Sequence, residues 1–268
     1  MGRLKLSALI GAAAVALPSA AALAADMPGT PPPVHIGGSW YLRGHIGLAQ
    51  QSVDHLDNAL FATATNFRWL DTGNFSAAPI FGIGIGYQLN DHVRFDVTGE
   101  YRGKADFSAL DAYGTGAPPG SGSNDYSAKK SEITLLANAY LDLVTWGQFT
   151  PYIGAGIGAS RNTIWDFRDV NVPNNGVAYG ATASQWSLAW AAHAGVAMKV
   201  SDNFTVDFGY SFTDLGDAQS GDLTDYQGNN TTYNPMLFKH LTSQDFKIAA
   251  RWSFGGPQNA YYPTSVKY

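Results

Sequence analysis

The chain has 268 residues, of which 30 are glycine, 13 are proline and none is cysteine, and only 14% are charged. Low charge, abundant glycine and an aromatic content of 13% exclude a disordered chain, and a net charge of −5 argues against nucleic acid as a partner. The lack of cysteine excludes a disulfide scaffold and thiolate zinc sites.

Residues 1–24 have the pattern of a secretory signal peptide. A short basic start precedes an apolar, alanine-rich stretch over residues 6–17, and Ala22-Leu23-Ala24 is a small-x-small cleavage site. An N-terminal anchor helix is the alternative, but the apolar stretch is short and prolines follow it closely. We therefore expect cleavage after Ala24 and export of the remaining chain.

Beyond a proline-rich linker over residues 25–38, the hydrophobic period changes to two, which is typical of β-strands. Eight stretches have one apolar face and one face that carries charges and glycines. They are residues 40–48, 81–89, 93–102, 130–143, 152–160, 185–200, 204–213 and 245–254. Eight amphipathic strands of about ten residues are typical of a membrane-spanning barrel.

The connections between these stretches alternate between short and long. The turns at residues 90–91, 144–149 and 201–202 are short. The long, polar connections are residues 50–76, 103–129, 161–184 and 214–241. This asymmetry predicts an all-β fold, an eight-stranded antiparallel up-and-down transmembrane β-barrel over residues 39–254, with short periplasmic turns and four long external loops. Residues 255–268 form a C-terminal tail to which the pattern assigns no role.

The alternation does not by itself say which face points inward, because a soluble lipocalin-like barrel would bury the apolar faces. Export of the chain favours the membrane alternative. Aromatic residues near the predicted strand ends favour it too, since they would form girdles at the lipid interface. These aromatic residues are Trp40, Tyr87, Tyr152, Trp186, Tyr210, Trp252 and Phe254.

Three segments carry a resemblance to a known family: Gly-Glu-Tyr-Arg-Gly-Lys-Ala-Asp-Phe at 99–107, Asp-Tyr-Ser-Ala-Lys-Lys-Ser-Glu at 125–132, and glycine-rich residues 151–163. The chain resembles the small major outer-membrane barrels of Alphaproteobacteria, the surface antigens of Brucella and rhizobia with OmpA-like and opacity-type architecture. The resemblance implies both termini in the periplasm and insertion by the barrel-assembly machinery. Many such barrels end on the aromatic of the last strand, whereas fourteen residues follow Phe254 here.

The lumen is the first candidate site. Eight strands leave an interior that side chains fill, and its nearly balanced charges are expected to pair because unpaired buried charges are costly. We predict an ion-pair plug, with a narrow gated ion path as the alternative, and expect no catalytic set, metal site or cofactor. His45 and His193 are assigned to the same network. The predicted network is Arg43, Arg94, Asp96, Glu100, Arg102, Glu132, Asp142, Lys199, Asp207, Asp245, Lys247 and Arg251.

The mature N-terminus is the second candidate site. In the barrels that the chain resembles, an N-terminal Ala-Asp is an acceptor for peptidoglycan attachment by L,D-transpeptidases, and Ala25 and Asp26 are the matching positions. An α-amine with a pKa near 8 is partly neutral and nucleophilic at neutral pH. The linker would reach roughly 40 Å in polyproline form. The alternative is that Ala-Asp merely follows the cleavage site.

The sequence predicts a non-enzymatic structural barrel of the Gram-negative outer membrane that contacts outer-membrane lipid, lipopolysaccharide and peptidoglycan. Two other functions stay open. One is an adhesin or ligand-binding barrel that uses the external loops, with residues 67–69, residues 165–168 and Tyr226 as candidate contacts. The other is a narrow porin for small solutes.

Overall fold

The computed structural model describes residues 38–117 and 120–254, where the chain forms eleven β-strands and two short 3-10 helices. The helices are Phe61–Thr63 and Val172–Asn174. No helix in this part of the chain is long and apolar enough to cross a bilayer. The strands are β1 (Ser39–Asp57), β2 (Arg68–Phe75), β3 (Ala78–Gln88), β4 (Val93–Ala112), β5 (Asp125–Asp142), β6 (Phe149–Asn171), β7 (Gly176–Gly180), β8 (Ala183–Lys199), β9 (Phe204–Gln219), β10 (Leu223–Thr224) and β11 (Leu237–Phe254).

Eight of these strands close a ring of antiparallel neighbours. The ring runs β1-β3-β4-β5-β6-β8-β9-β11 and closes where β11 pairs with β1, so that Leu42 lies opposite Trp252. The order of these eight strands around the ring is their order along the chain, as in an up-and-down barrel. The described chain nevertheless has eleven strands where the sequence predicts eight. The other three lie in segments expected to be loops: β2 pairs with β4, β7 with β6, and β10 with β7.

The outward face of the ring is apolar. Leu42, Ile46 and Ile83 all point away from the barrel, and the side chain of Ile83 is 75% exposed. Arg94 and Arg102, on the inward face, are fully buried. A continuous apolar belt of this kind is suited to lipid, because in water its exposure would drive association. The apolar faces therefore point outward, as the membrane interpretation predicts, and the lipocalin-like alternative is wrong.

Inward glycines on β3 and β6 make room for the polar interior. A Cβ at Gly82 would overlap the imidazole ring of His45, and a Cβ at Gly156 would overlap the side-chain amide of Asn138. Glycine weakens a strand by itself, and in a barrel it marks a place where another group comes close to the backbone. The inward glycines of β3 and β6 thus explain how long side chains from the neighbouring strands fit inside a narrow ring.

The ring strands continue well past the apolar belt at the long-loop end. β4 has 20 residues and β6 has 23, whereas about ten residues span a bilayer. We call this part the external extension, after the side of the membrane on which the sequence predicts the long connections. It comprises residues 49–57, 103–112, 125–131, 162–171, 214–219 and 237–243, with β2, β7 and β10.

The expectation that these segments are loops is therefore wrong for much of their length, and the reason is visible in their patterning. Phe107 and Phe167 are buried inside the extension, whereas Asp106 and Arg168 point outward and are exposed. Outside the bilayer the outward face meets water and must be polar. The segments consequently look hydrophilic although they continue the sheet.

Candidate functional site

Ion pairs fill the lumen from the short-turn end upward. Arg94 lies nearest the short turns, 3.0 Å from the carboxylate of Asp142, with its guanidinium over the rings of Tyr140 and Tyr152. Asp142 and Tyr140 belong to β5 and Tyr152 belongs to β6, so these contacts join three consecutive strands of the ring. Two further pairs are Arg43 with Asp96 at 3.2 Å and Arg251 with Asp207 at 2.7 Å.

Arg102 is the centre of the next part of the network. Its guanidinium lies 2.9 Å from Glu100, 2.5 Å from Asp245 and 3.5 Å from Glu132. Lys247 adds a second cation, 2.7 Å from Glu100. One arginine therefore ties together carboxylates of β4, β5 and β11. Oppositely charged partners this close offset the cost of removing buried charges from water.

The two lumen histidines belong to the same network. His45 lies 3.0 Å from Glu100, and His193 contacts Ser211 at 2.8 Å and Asn138 at 3.1 Å. A void of about 10 Å³ beside His193 has room for about one water molecule. Apart from this void, buried side chains of the described residues occupy the lumen around the two histidines.

An apolar layer closes the barrel above the ion pairs. Phe75 packs on Phe107 with ring centroids 5.0 Å apart, and Phe107 packs on Phe238 at 5.1 Å. Phe167 completes the layer, and all four rings are buried. The ammonium of Lys130 lies 5.8 Å from the Phe75 ring, which places the layer directly above the uppermost ion pairs. Lumen charges and external water are thus separated by aromatic side chains.

The external extension encloses a cavity of about 630 Å³ above this layer. All four long connections contribute to its wall, through Phe61 of the first, Tyr113 of the second, Asp169 and Ala178 of the third and Asn234 of the fourth. Tyr126 lines the cavity, and its ring lies 6.1 Å from that of Phe167 in the apolar layer, so it forms part of the floor. The volume lies in the range of small-molecule sites.

Hydrogen bonds between loops hold this cavity open. Asn58 Nδ2 donates to the carbonyl oxygen of Asn234 at 2.7 Å, which joins the first loop to the fourth. Asn171 Nδ2 donates to the hydroxyl of Tyr113 at 2.8 Å, which joins the third loop to the second. A backbone hydrogen bond of 2.6 Å joins the second loop to the first. Hydrogen bonds therefore cross-link the four loops of the rim.

One side of the cavity has an aromatic wall: Phe61, Phe67 and Tyr126 line the cavity, and Trp69 packs against all three from outside the lining. The rings of Phe61 and Phe67 are stacked with centroids 4.3 Å apart, and Trp69 meets both edge-on at 5.4 and 5.2 Å. Trp69 also lies 5.8 Å from Tyr126, which extends the wall to the floor. Aromatic faces of this kind bind apolar groups and cations.

Two carboxyl groups lie on the side of the cavity next to Tyr126. Asp169 lines the cavity, and its Oδ1 is buried without a hydrogen-bond partner among the described residues. Asp111 is fully buried and accepts hydrogen bonds from Tyr126 and Asn124. Burial, together with the charge of Asp111, raises the pKa of Asp169 to about 7. Both groups lie in the external extension, outside the membrane-spanning segments.

Comparison with known proteins identifies the family. The sequence model of the family described as "Outer membrane protein beta-barrel domain" matches residues 10–254. The chain belongs to this family. It is 29% identical over 207 residues to an uncharacterized protein of Brucella abortus, which covers 70% of this chain and 72% of that protein. It is 26% identical over 242 residues to a Rickettsia felis protein with the provisional name of adhesin, covering 88% and 94%.

A solved structure of the same general kind is the outer membrane protein OprG from Pseudomonas aeruginosa. It covers 83% of this chain and 99% of its own, with 14% identity and a TM-score of 0.49. It is the family model, and not this likeness, that shows the protein to be an outer-membrane β-barrel protein of a Gram-negative envelope.

The structure of this outer-membrane barrel brings together all but one of the residues predicted for the lumen network. Lys199 is the exception, and its placement in the lumen is wrong. Its side chain is 61% exposed at the end of β8, where it pairs with Asp202 at 3.1 Å beside a short turn. It has the parity of the inward residues but is the last residue of the strand, where water can solvate its charge. Tyr152 also differs from the prediction, because it is buried under Arg94 and takes no part in an interfacial girdle.

The aromatic residues that were predicted as loop contacts lie in different parts of the external extension and its loops. Phe67 and Trp69 form the aromatic wall, whereas Phe167 is buried in the apolar layer. Trp165 donates a 2.8 Å hydrogen bond to Ser131 from the outer surface of the extension. Of the aromatic residues among the predicted contacts, Tyr226 is the most accessible, with 82% of its surface exposed.

The predicted attachment residues Ala25 and Asp26 lie outside the described residues, as do the signal segment 1–24 and the tail 255–268. They stay predictions from the sequence. The acids Asp111 and Asp169 and the amide-rich rim were missed. A signal was present, since inward aromatics at Phe107 and Phe167 continue the period of two into segments that look polar.

Proposed function

We propose that this outer-membrane barrel is a closed, non-enzymatic protein that recognises a small ligand or a surface group at its external end. The observation that carries the proposal is the cavity of about 630 Å³ whose wall is shared by all four long connections. Four separate loops converge on one concave site, which is typical of binding sites built on a rigid scaffold.

The interior of the barrel supports this proposal over a porin. Ion pairs and the apolar layer fill the space along which a solute would have to pass. The external end is then the part of the molecule that is accessible and has a concave site. The provisional name of the Rickettsia felis relative is also that of a surface-recognition protein.

The rim supports recognition in a second way. Because hydrogen bonds already link the loops, little conformational entropy is lost when a ligand binds. The aromatic wall and the side-chain amides give the site both apolar contact area and hydrogen-bonding groups. Such a mixture is typical of specific small-molecule sites.

The test is ligand-observed NMR on the folded protein in detergent micelles, with a defined fragment set of aromatic amines, aromatic alcohols, carboxylates and monosaccharides. Ala178→Trp fills the cavity, since Ala178 lies on its wall. Ala62→Trp is the matched control, because Ala62 is exposed on the neighbouring 3-10 helix and does not line the cavity. We expect at least one fragment class to bind the wild type and the control but not Ala178→Trp. Absence of binding by every class would overturn the proposal.

A second candidate function is a structural barrel tethered to peptidoglycan through Ala25. It is supported by the start of β1, where Ser39 pairs with Gln88 at the short-turn end, so that the linker would enter from the periplasm. Mass spectrometry of muramidase- and trypsin-digested sacculi tests it. A muropeptide on the peptide that begins at Ala25 is expected, and a free N-terminus in a well-sampled digest would refute the tether.

A further inference from the structure

The geometry points to a ligand class for the external cavity: we infer that it binds a small organic cation, an ammonium group attached to an apolar or aromatic portion. The inference rests on the proposed function and specifies the ligand of that same site.

The charges around the cavity are of one sign. Asp169 is on the wall, and Asp111 of β4 lies behind it. Among the described residues that line the cavity, none is lysine, arginine or histidine. Two acidic groups without a basic neighbour favour a cationic ligand and disfavour an anionic one, because like charges repel at short range in a partly buried site.

The described residues paired with Asp169 on the neighbouring strands do not balance its negative charge either. Tyr126 of β5 lies opposite it in the sheet, and its hydroxyl is committed to Asp111. Ala178 of β7 lies opposite on the other side and carries no polar side chain. The adjacent Arg168 is exposed, with its guanidinium 5.8 Å from the centroid of the Tyr179 ring.

The carboxylate of Asp169 also lacks a donor. Its Oδ1 is buried, and no described group donates a hydrogen bond to it. A buried acceptor without a partner is unfavourable, and the penalty is larger for a charged group. An ammonium group supplies both an N–H donor and the compensating charge, whereas a hydroxyl group supplies the donor alone.

The aromatic wall begins next to this carboxylate. Tyr126 is the partner of Asp169 in the sheet and lines the cavity, as do the stacked rings of Phe61 and Phe67. Trp69 contacts all three rings from outside the lining. Aromatic faces attract cations through the ring quadrupole and pack against apolar groups. A ligand with an ammonium group at one end and an aromatic or aliphatic body matches both features, and a cavity of about 630 Å³ has room for it.

Two probes of nearly equal shape test the inference at pH 8: 2-phenylethylamine, which is then an ammonium ion, and 2-phenylethanol, which is neutral. Dissociation constants are measured by NMR titration of the folded, full-length mature protein. Asp169→Asn removes the wall charge with little change in size. Asp166→Asn is the matched control, because Asp166 is exposed on the same strand and does not line the cavity.

We expect the amine to bind the wild type at least tenfold more tightly than the alcohol. Asp169→Asn is expected to weaken amine binding at least tenfold and to abolish the preference, whereas Asp166→Asn retains it. Amine binding to the wild type is expected to strengthen from pH 6 to pH 8 as Asp169 ionises.

Equal binding of the two probes, or an unchanged amine affinity in Asp169→Asn, would overturn the inference. A failure of the cation inference is distinguishable from a failure of the proposed function. If neutral or anionic fragments bind the wild type and are lost in Ala178→Trp, the cavity is a recognition site for another ligand class. If no fragment of any class binds, both fail.

Discussion

The hydroxyl of Tyr126 donates a 2.6 Å hydrogen bond to Oδ2 of Asp111, and both side chains are buried in the external extension. Burial is the largest cause of the raised pKa of Tyr126, so its hydroxyl stays protonated and remains a donor throughout the neutral range. The bond joins β4 to β5 directly behind the cavity wall. It fixes the position of the Asp111 carboxylate, whose charge contributes to the raised pKa of Asp169.

Replacing Tyr126 by phenylalanine removes this donor and leaves the buried Asp111 carboxylate less well bonded. We expect a loss of about 1–3 kcal/mol in the local stability of the external extension, because a buried acceptor loses its partner. Hydrogen exchange at the amides of residues 108–128 measures the effect. Tyr226→Phe is the control, since the Tyr226 side chain is 82% exposed. Equal protection in Tyr126→Phe and the wild type would contradict a structural role for the bond.

The raised pKa of Asp169 predicts a pH-dependent stability. Its carboxyl group holds a proton more tightly in the folded protein, with a pKa of about 7, than at its ordinary value of 3.8. The folded state is therefore favoured while the group is protonated, and stability decreases as the pH rises through about 7.

Asp169→Asn removes this titration. Relative to the wild type, the variant is expected to gain stability as the pH is raised from about 4 to about 7 and to change little above that, measured by urea unfolding in micelles. The exposed Asp166→Asn variant gives the baseline for loss of one negative charge on the same strand. If the difference between Asp169→Asn and the wild type does not vary with pH, Asp169 has no raised pKa.

Arg102 is the cation on which the central lumen network depends, because it contacts Glu100, Glu132 and Asp245. Arg102→Met keeps much of the side-chain volume but leaves buried carboxylates without their main partner. We expect a loss of about 3–5 kcal/mol in the free energy of unfolding. Arg68→Met, at an exposed position on β2, should change it by less than about 0.5 kcal/mol. Similar urea midpoints for the two variants would refute the dependence on Arg102.

The filled lumen predicts that the folded protein does not conduct ions. Planar-bilayer recordings of the wild type are expected to show no conductance steps, with a large water-filled porin as the positive control. The double variant Arg94→Ala/Asp142→Ala removes the ion pair nearest the short turns. It is also expected to stay closed, because the ion pairs around Arg102 and the apolar layer remain above it. Regular steps from the wild type would support the gated ion path instead.

The sequence by itself determined the ring strands, their outward face and nearly all of the lumen residues. A bilayer requires apolar side chains at every second position of each spanning strand, so a short stretch of sequence shows both the strand and its orientation. Arg94 and Asp245 could be assigned to the interior in this way although their partners lie elsewhere in the chain. At a strand end the alternation no longer shows whether a side chain is buried, which is why Lys199 was wrongly assigned to the lumen.

The tertiary structure alone decided the external site. Beyond the bilayer both faces of a strand can be polar or apolar, so the local pattern no longer distinguishes a sheet from a loop. Asp111 and Asp169 come together because β5 pairs with β4 on one side and with β6 on the other. Asn58 meets Asn234 because ring closure brings β1 beside β11. Such neighbours depend on how the whole barrel closes, and no local stretch of the chain specifies them.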